Sequence, residues 1–374
     1  MINVLQVSSD TNIGGAGKCI LTYLKHRDTK NFNVAVVLPK DSLLKPMIDE
    51  LGVRVYEIDA MADKSFDTAA IRKLLDVFRD FRPDIVHAHA SMSARIAARI
   101  FGVKVVYTRH SVFPPSPRLT KGLGKAVSGF VNNSTADKII AVAEAAKDNV
   151  CALGVNERKV EVILNGVEPL RKYSDSEMSA LRREYGIADD CKCAAIVARL
   201  NEVKGHKYFV EAAKKVLDRG ICAKFFIAGT GDMAESIQKQ IKQYGLENSV
   251  IMLGFLDCVE PLMNLIDVQV NCSFGTEATS LSLLEGMSLG KPAVVSDFGG
   301  NPGVIKDGIN GYIVPTHDSD TLSARLAELF ENNDIYNKMC ENAKTIFAQK
   351  FTADKYAANI EKIYYSLGGT QNGK

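Results

Sequence analysis

The sequence predicts an α/β protein made of two doubly wound, mainly parallel domains. Short runs rich in β-branched residues recur along the whole chain. Stretches with apolar residues at three- and four-residue intervals separate them, and the alternation restarts once, near residue 165. In the first half the strand runs are Val4 to Val7, Asn33 to Leu38, Arg54 to Ile58, Ile85 to Ala88, Lys104 to Thr108 and Lys138 to Val142. Between them, Gly17 to Leu24, Leu43 to Leu51, Thr68 to Phe81 and Met92 to Ile100 have helical spacing. After Val162-Ile163-Leu164 the pattern resumes with Cys193 to Val197, Ala223 to Ala228, Val250 to Leu253, Val268 to Asn271, Pro292 to Ser296 and Gly311 to Val314. Strands alternating with helices imply right-handed crossovers and parallel sheets.

The boundary falls near Asn165-Gly166-Val167, before the polar stretch Arg171 to Asp175, giving domains at residues 1–165 and 166–350. The amphipathic segment Phe351 to Leu367, with Tyr356, Ile360, Ile363 and Tyr364 on one stripe, is expected to pack back on the first domain. Ligands of such sheets bind outside the carboxyl ends of the strands, so the two domains are expected to face one interdomain crevice.

Composition narrows the class. With 46% hydrophobic and 24% charged residues the chain is an ordinary globular protein that can bury a large core. No apolar run reaches the roughly 18 residues that cross a bilayer, and MINVLQVSS enters a strand without a basic leader, so a cytoplasmic location is expected. The eight cysteines form no CxxC pair and read as reduced, mostly packed thiols; no metal site is expected. Residues 1–165 carry 23 Lys+Arg against 17 Asp+Glu, or +6, leaving −4 for the rest, and no basic stripe interleaved with aromatics marks a nucleic-acid binder. The segment Arg118 to Phe130 mixes Arg118, Lys121 and Lys125 with Leu119, Leu123, Val127 and Phe130. A surface helix packing on its own domain is the commoner reading, with contact to a lipid-linked saccharide as the alternative, while the +6 of the first half allows peripheral association with an anionic membrane or an acidic acceptor.

The chemistry concentrates after strand ends. Glu277 and Glu285 lie eight residues apart in FGTEATSLSLLEGMSLGKPAVV, which reads as strand, loop, helix, strand. Thr279 or Ser280 can cap the helix and Gly290 can end it, placing Glu277 on the entering loop and Glu285 about a turn inside. Free amides at Ser280 and Leu281 can hold an anion while the carboxylates accept from sugar hydroxyls. Arg199 and Lys204 follow a strand in AIVARLNEVKGH, where two cations can neutralise a diphosphate leaving group.

Asn12-Ile13-Gly14-Gly15-Ala16-Gly17-Lys18 opens a helix after the first strand, where glycines let backbone approach phosphate. It is no P-loop, since position 12 is Asn and Cys19 stands where Ser/Thr would hold magnesium; Ile20 breaks the dinucleotide fingerprint. His87, His89 and His110 end strands and could face the crevice. Of these His110 is the strongest candidate, beside Arg109 and before the loop Phe113 to Pro117, which can shape an acceptor entrance. The stretch Asp297 to Gly303 either brings backbone close to a ligand or turns the chain.

Taken together these motifs resemble the family-four retaining glycosyltransferases of the GT-B fold, with two Rossmann-like domains, over nearly the whole length. The resemblance implies that Glu285 hydrogen-bonds the nucleotide ribose, Glu277 lies near the transferred sugar, and Arg199 and Lys204 clamp the diphosphate. It places His110 beside the donor sugar and Gly14 and Gly15 in the loop that closes on phosphate and acceptor. Thr279, Ser280 and Leu281 fall on the donor-binding loop. Two positions depart from the family pattern: Ala278-Thr279-Ser280 replaces Gly-Phe-Gly after the first glutamate, and Gly303 stands where a glutamate is common.

The activity implied is metal-independent, retaining transfer of a hexose from a nucleotide-diphosphate sugar to a hydroxyl of a glycan or lipid-linked saccharide, in cell-surface polysaccharide synthesis, with no cofactor. A nucleotide-sugar epimerase, a sugar phosphorylase and a noncatalytic nucleotide-sugar-binding subunit are the alternatives.

Overall fold

The computed structural model describes residues 1–59, 61, 65–113 and 115–368. Backbone contacts divide the chain into two compact units, Met1–Gly166 with Thr352–Lys374, and Val167–Phe351.

The first unit runs β1 (Ile2–Ser8), α1 (Gly15–His26), β2 (Phe32–Pro39), α2 (Lys45–Asp49), β3 (Arg54–Ile58), α3 (Thr68–Phe81) and β4 (Ile85–His89). It continues with α4 (Met92–Phe101), β5 (Lys104–Arg109), α5 (Pro117–Thr120), α6 (Gly122–Thr135), β6 (Lys138–Ala141), α7 (Glu144–Ala152) and β7 (Val160–Val162). Its strands form one parallel sheet in the order β3-β2-β1-β4-β5-β6-β7.

The second unit holds α8 (Asp175–Glu184), β8 (Lys192–Val197), α9 (His206–Asp218), β9 (Ala223–Ala228), α10 (Ala234–Gln243), β10 (Val250–Gly254) and α11 (Glu260–Leu265). There follow β11 (Val268–Asn271), α12 (Leu281–Ser288), β12 (Ala293–Ser296), α13 (Asn301–Val304), β13 (Gly311–Val314), α14 (Ser319–Glu331) and α15 (Asn333–Lys350). Its parallel sheet has the order β10-β9-β8-β11-β12-β13. The last helix, α16 (Ala353–Gly368), lies in the first unit, where Tyr356, Ile360, Ile363 and Tyr364 are buried.

Both sheets are covered on both faces, which is why their strands are nearly continuous apolar runs rather than alternating ones. Val4, Leu5 and Val7 of β1 and Phe225, Phe226 and Ile227 of β9 are all fully buried. Helix starts follow local chemistry: Asp67 accepts from the amides of Ala69 and Ala70 at α3, and Ser174 with Glu177 forms a reciprocal capping box at α8. In each unit the chain winds outward on one side of its first strand and then crosses to the other. The resulting switch points lie between β1 and β4 and between β8 and β11, the places where such sheets bind ligands.

One expectation fails here. Cys191 and Cys222 form a disulfide across 31 residues, with Cα atoms 4.8 Å apart, rather than standing as reduced thiols. The register explains the meeting: Lys192 pairs with Ala223, so the residues just before β8 and β9 are neighbours. Among the other six cysteines, Cys19, Cys193 and Cys272 are buried and Cys258 is exposed.

Candidate functional site

In the second unit the β8–α9 loop and the β11–α12 loop are stapled together at the switch point. Gly205 has φ +71°, and a Cβ there would sit 2.3 Å from the Cys272 carbonyl oxygen, so only glycine lets the two loops approach this closely. The amide of Phe274 donates to the Val203 carbonyl at 2.9 Å across the same junction. Lys204, at the end of the short 3₁₀ turn Glu202–Lys204, is thereby delivered to the β11 side.

The Lys204 Nζ donates to Glu277 Oε2 and to the Thr276 carbonyl, each at 2.9 Å. Asn271 Nδ2 and Ser273 Oγ donate to the same Oε2, each at 3.0 Å. Glu277 is therefore held by one oxygen with three donors, in a residue only 8% exposed. Among the described residues no hydrogen bond reaches its Oε1. An ammonium has three donors, and Lys204 uses two of them. Asn271 is itself fixed, its Oδ1 accepting from the Ser273 amide at 3.0 Å and from Asn301 Nδ2 at 3.5 Å.

The Asp297 to Gly303 stretch packs on Glu277 itself. Gly299 has φ +58° with a Cβ position 2.1 Å from the Glu277 carbonyl oxygen, and the Gly300 amide donates to that oxygen at 3.2 Å. The loop thus packs against the backbone of Glu277.

Helix α12 is pinned to the carboxyl end of β8 by Ser282 Oγ, which donates to the Val197 carbonyl at 3.2 Å. Ser280 occupies the N-cap, but no side chain caps the helix; its hydroxyl pairs with that of Ser282 at 3.0 Å. The capping role expected for Thr279 or Ser280 is thus not filled by a side chain, because Ser282 competes for the Ser280 hydroxyl and Thr279 is buried. Glu285 sits a turn inside the helix and half-buried, Leu281 is half-buried, and Arg199 is exposed just past β8.

In the first unit Gly14 is the N-cap of α1 and Gly15 its first residue; both are exposed, and a Cβ at either would meet nothing within 4 Å. The three histidines fall differently. His87 and His89 are buried in the sheet rather than open, whereas His110 is half-buried just past β5. His110 Nε2 lies 2.7 Å from His89 Nδ1, and His89 Nε2 lies 2.6 Å from Gln6 Oε1. Burial pushes His87 down to about 3 and His110 down to about 4, and burial together with the flanking His87 and His110 holds His89 well below the ordinary imidazole range. Arg109 donates to Asn149 Oδ1 at 3.2 Å, and Asn149 in turn donates to the Phe113 carbonyl, tying down the loop after β5.

Asn271, Ser273 and Gln6 escaped the sequence reading. Their signal was present in part: a polar residue inside or ending a buried strand run, as Gln6 in VLQVSS, must find a partner.

The Arg118 to Phe130 segment is two helices. The inner side of α6 is held by Arg95, which donates to Asn132 Oδ1 at 3.1 Å and Thr135 Oγ1 at 2.6 Å. Its other side presents Leu123, Val127 and Phe130, at 80%, 54% and 73% exposure. The apolar stripe does not pack on its own unit, contrary to the commoner expectation. Among the described residues no helix is long and apolar enough to cross a membrane.

Comparison with known proteins agrees with this architecture. The family profile described as Glycosyltransferase Family 4 matches residues 13–171, and that of Glycosyl transferases group 1 matches residues 177–346. The N-acetyl-alpha-D-glucosaminyl L-malate synthase of Bacillus anthracis is 26% identical over 329 residues, covering 86% of this chain and 85% of that protein. The UDP-Gal:alpha-D-GlcNAc-diphosphoundecaprenol alpha-1,3-galactosyltransferase of Escherichia coli is 24% identical, covering 98% and 97%. Among solved structures, Anabaena HepE in complex with UDP and glucose superposes with a TM-score of 0.84 at 22% identity, over 98% of this chain and 100% of that one. The chain belongs to the family-four glycosyltransferases of the GT-B fold.

Proposed function

We propose that this glycosyltransferase moves a hexose from a nucleotide-diphosphate sugar to a hydroxyl acceptor with retention of anomeric configuration and without a metal. The observation that carries this reading is the one-sided anchoring of Glu277. Three donors fix Oε2, and Oε1 is left to accept from a sugar hydroxyl or to stabilise oxocarbenium-like charge. The third N–H of Lys204, the exposed Arg199 and the amides from Thr279 to Leu281 at the start of α12 would take up charge growing on the leaving diphosphate. Glu285 is assigned to the ribose, and Gly14 and Gly15 to backbone contact with phosphate or acceptor. His110 is assigned to a substrate hydroxyl.

A glycan or lipid-linked saccharide acceptor, in polysaccharide synthesis, is supported by the E. coli relative, whose name gives a diphosphoundecaprenol-linked acceptor. The test is a panel of UDP-, GDP- and ADP-sugars. One donor should raise the melting temperature by mass action and, on slow hydrolysis, release the sugar first as the anomer it carried in the donor. Release of the opposite anomer would overturn retention, and tight binding with no turnover would favour a noncatalytic subunit.

Peripheral binding to an anionic membrane, on the cytoplasmic face, is assigned to α5 and α6. Residues 113–135 hold Arg118, Lys121 and Lys125 and no acidic residue beside the exposed stripe, and each cation near such a surface contributes about 1 kcal/mol. Co-sedimentation with phosphatidylglycerol vesicles should be lost in Leu123→Ser/Phe130→Ser; equal sedimentation of the variant would contradict it.

A further inference from the structure

Six side chains of the first unit form one continuous hydrogen-bonded chain that ends at His110. Gln6 Nε2 donates to Tyr364 Oη at 3.1 Å, and Gln6 Oε1 faces His89 Nε2 at 2.6 Å. His87 lies between Tyr364 Oη, 2.6 Å from its Nδ1, and Thr108 Oγ1, 2.6 Å from its Nε2. The rings of His87 and His89 stack at 4.3 Å, and those of His89 and His110 at 5.1 Å.

The order of protons along this chain is set by the atoms that can only accept. A carbonyl oxygen cannot donate, so His89 Nε2 carries the hydrogen. A buried neutral imidazole has only one, so His89 Nδ1 is a lone pair and His110 Nε2 must donate to it. In the other direction the Tyr364 hydroxyl accepts from Gln6 and donates to His87 Nδ1, and His87 Nε2 donates to Thr108. Turning the Gln6 amide over would reverse every bond. It would also set two nitrogens 2.6 Å apart, a tighter contact than the nitrogen–oxygen pair it replaces because oxygen is the smaller atom.

We propose that Gln6 and Tyr364 are positioning residues that fix His110 as its Nε2–H tautomer, so that Nδ1 is presented as an uncharged acceptor to a substrate hydroxyl. Nothing else among the described residues hydrogen-bonds this ring. An acceptor without charge suits a centre that develops positive charge on the sugar, where an imidazolium would be repelled. The inference rests on the assignment of His110 to the substrate, but the proton order is a property of the unliganded protein.

The test uses the full chain labelled with ¹⁵N-histidine, whose six histidines are followed by long-range ¹H–¹⁵N correlation spectra, His110 being identified by loss of its signals in His110→Gln. The unliganded wild type should show His110 as the Nε2–H tautomer. Tyr364→Phe, which frees the Gln6 amide to turn, should convert it to a mixture and lower kcat about tenfold, the scale of one neutral hydrogen bond. An Nδ1–H or doubly protonated His110 at neutral pH in the wild type overturns the proposal, and that result needs no variant to fold. So does a Tyr364→Phe protein with an unchanged tautomer. A correct tautomer together with no binding of any nucleotide sugar would count against the functional reading alone.

Discussion

Glu277 and Lys204 meet as a pair in which both partners are nearly withdrawn from water, with side chains 9% and 13% exposed. Removing one member of such a pair strands the other's charge and costs about 3–5 kcal/mol, so Lys204→Ala mixes loss of leaving-group stabilisation with loss of fold. Glu277→Gln also leaves Lys204 without its counter-charge, but by keeping the shape of the side chain it disturbs the fold less. An amide keeps the shape and can place its oxygen where Oε2 accepts from Asn271 and Ser273. The open position then holds an NH₂ group, which donates where the carboxylate accepted. The pairing was out of reach of the sequence, which assigned Glu277 to sugar and Lys204 to diphosphate as separate tasks. The residues are 73 positions apart, and the close approach of Gly205 to Cys272, with the Phe274–Val203 hydrogen bond beside it, brings them together.

At the scale of elements the strands were legible because burial on both faces writes itself as short apolar runs. Residues 223–228 and 311–314 match their strands at both ends, and 54–58 does as well. The start of β7 at Val160 was missed, since a three-residue edge strand carries too little pattern. Helix α1 begins two residues before its apolar spacing does, at glycines whose role is not packing. The segment holding α5 and α6 shows the limit most clearly. Periodicity reports that one face of α6 is apolar but not where that face points, and Arg95 and Gly129 hold the opposite side inward. The disulfide depends on sheet register, which cannot be read from cysteine spacing alone.

At the scale of the whole molecule the two switch points differ in electrostatic character. The second unit gathers charge in the Lys204–Glu277 pair, while the first gathers neutral imidazoles linked by a chain spanning 358 positions between Gln6 and Tyr364. The buried imidazoles make stability depend on pH. His206 is also buried, and desolvation with nearby Lys204 pushes it down to about 4. For His87, His89, His110 and His206 the folded-state pKa lies below the unfolded value of about 6.5, so between about pH 6.5 and 4 the unfolded chain binds more protons. Stability is therefore full above 6.5 and falls with acidification, by up to about 1.4 kcal/mol per pH unit for each group. Melting temperatures measured from pH 7.5 to 4.5 should begin to drop near pH 6, above the carboxylate range; a flat profile down to pH 5 would contradict this. The most direct test of the central claim is a comparison of donor turnover in Glu277→Gln and wild type, with nucleotide titration of the same preparations and of Glu285→Ala. Turnover of Glu277→Gln should fall about 10- to 100-fold, the range for a hydrogen bond to a charged group, with nucleotide affinity unchanged, whereas Glu285→Ala should weaken the nucleotide itself. Near wild-type turnover in Glu277→Gln, or unchanged nucleotide affinity in Glu285→Ala, would contradict the assignment of one carboxylate to the sugar and the other to the nucleotide.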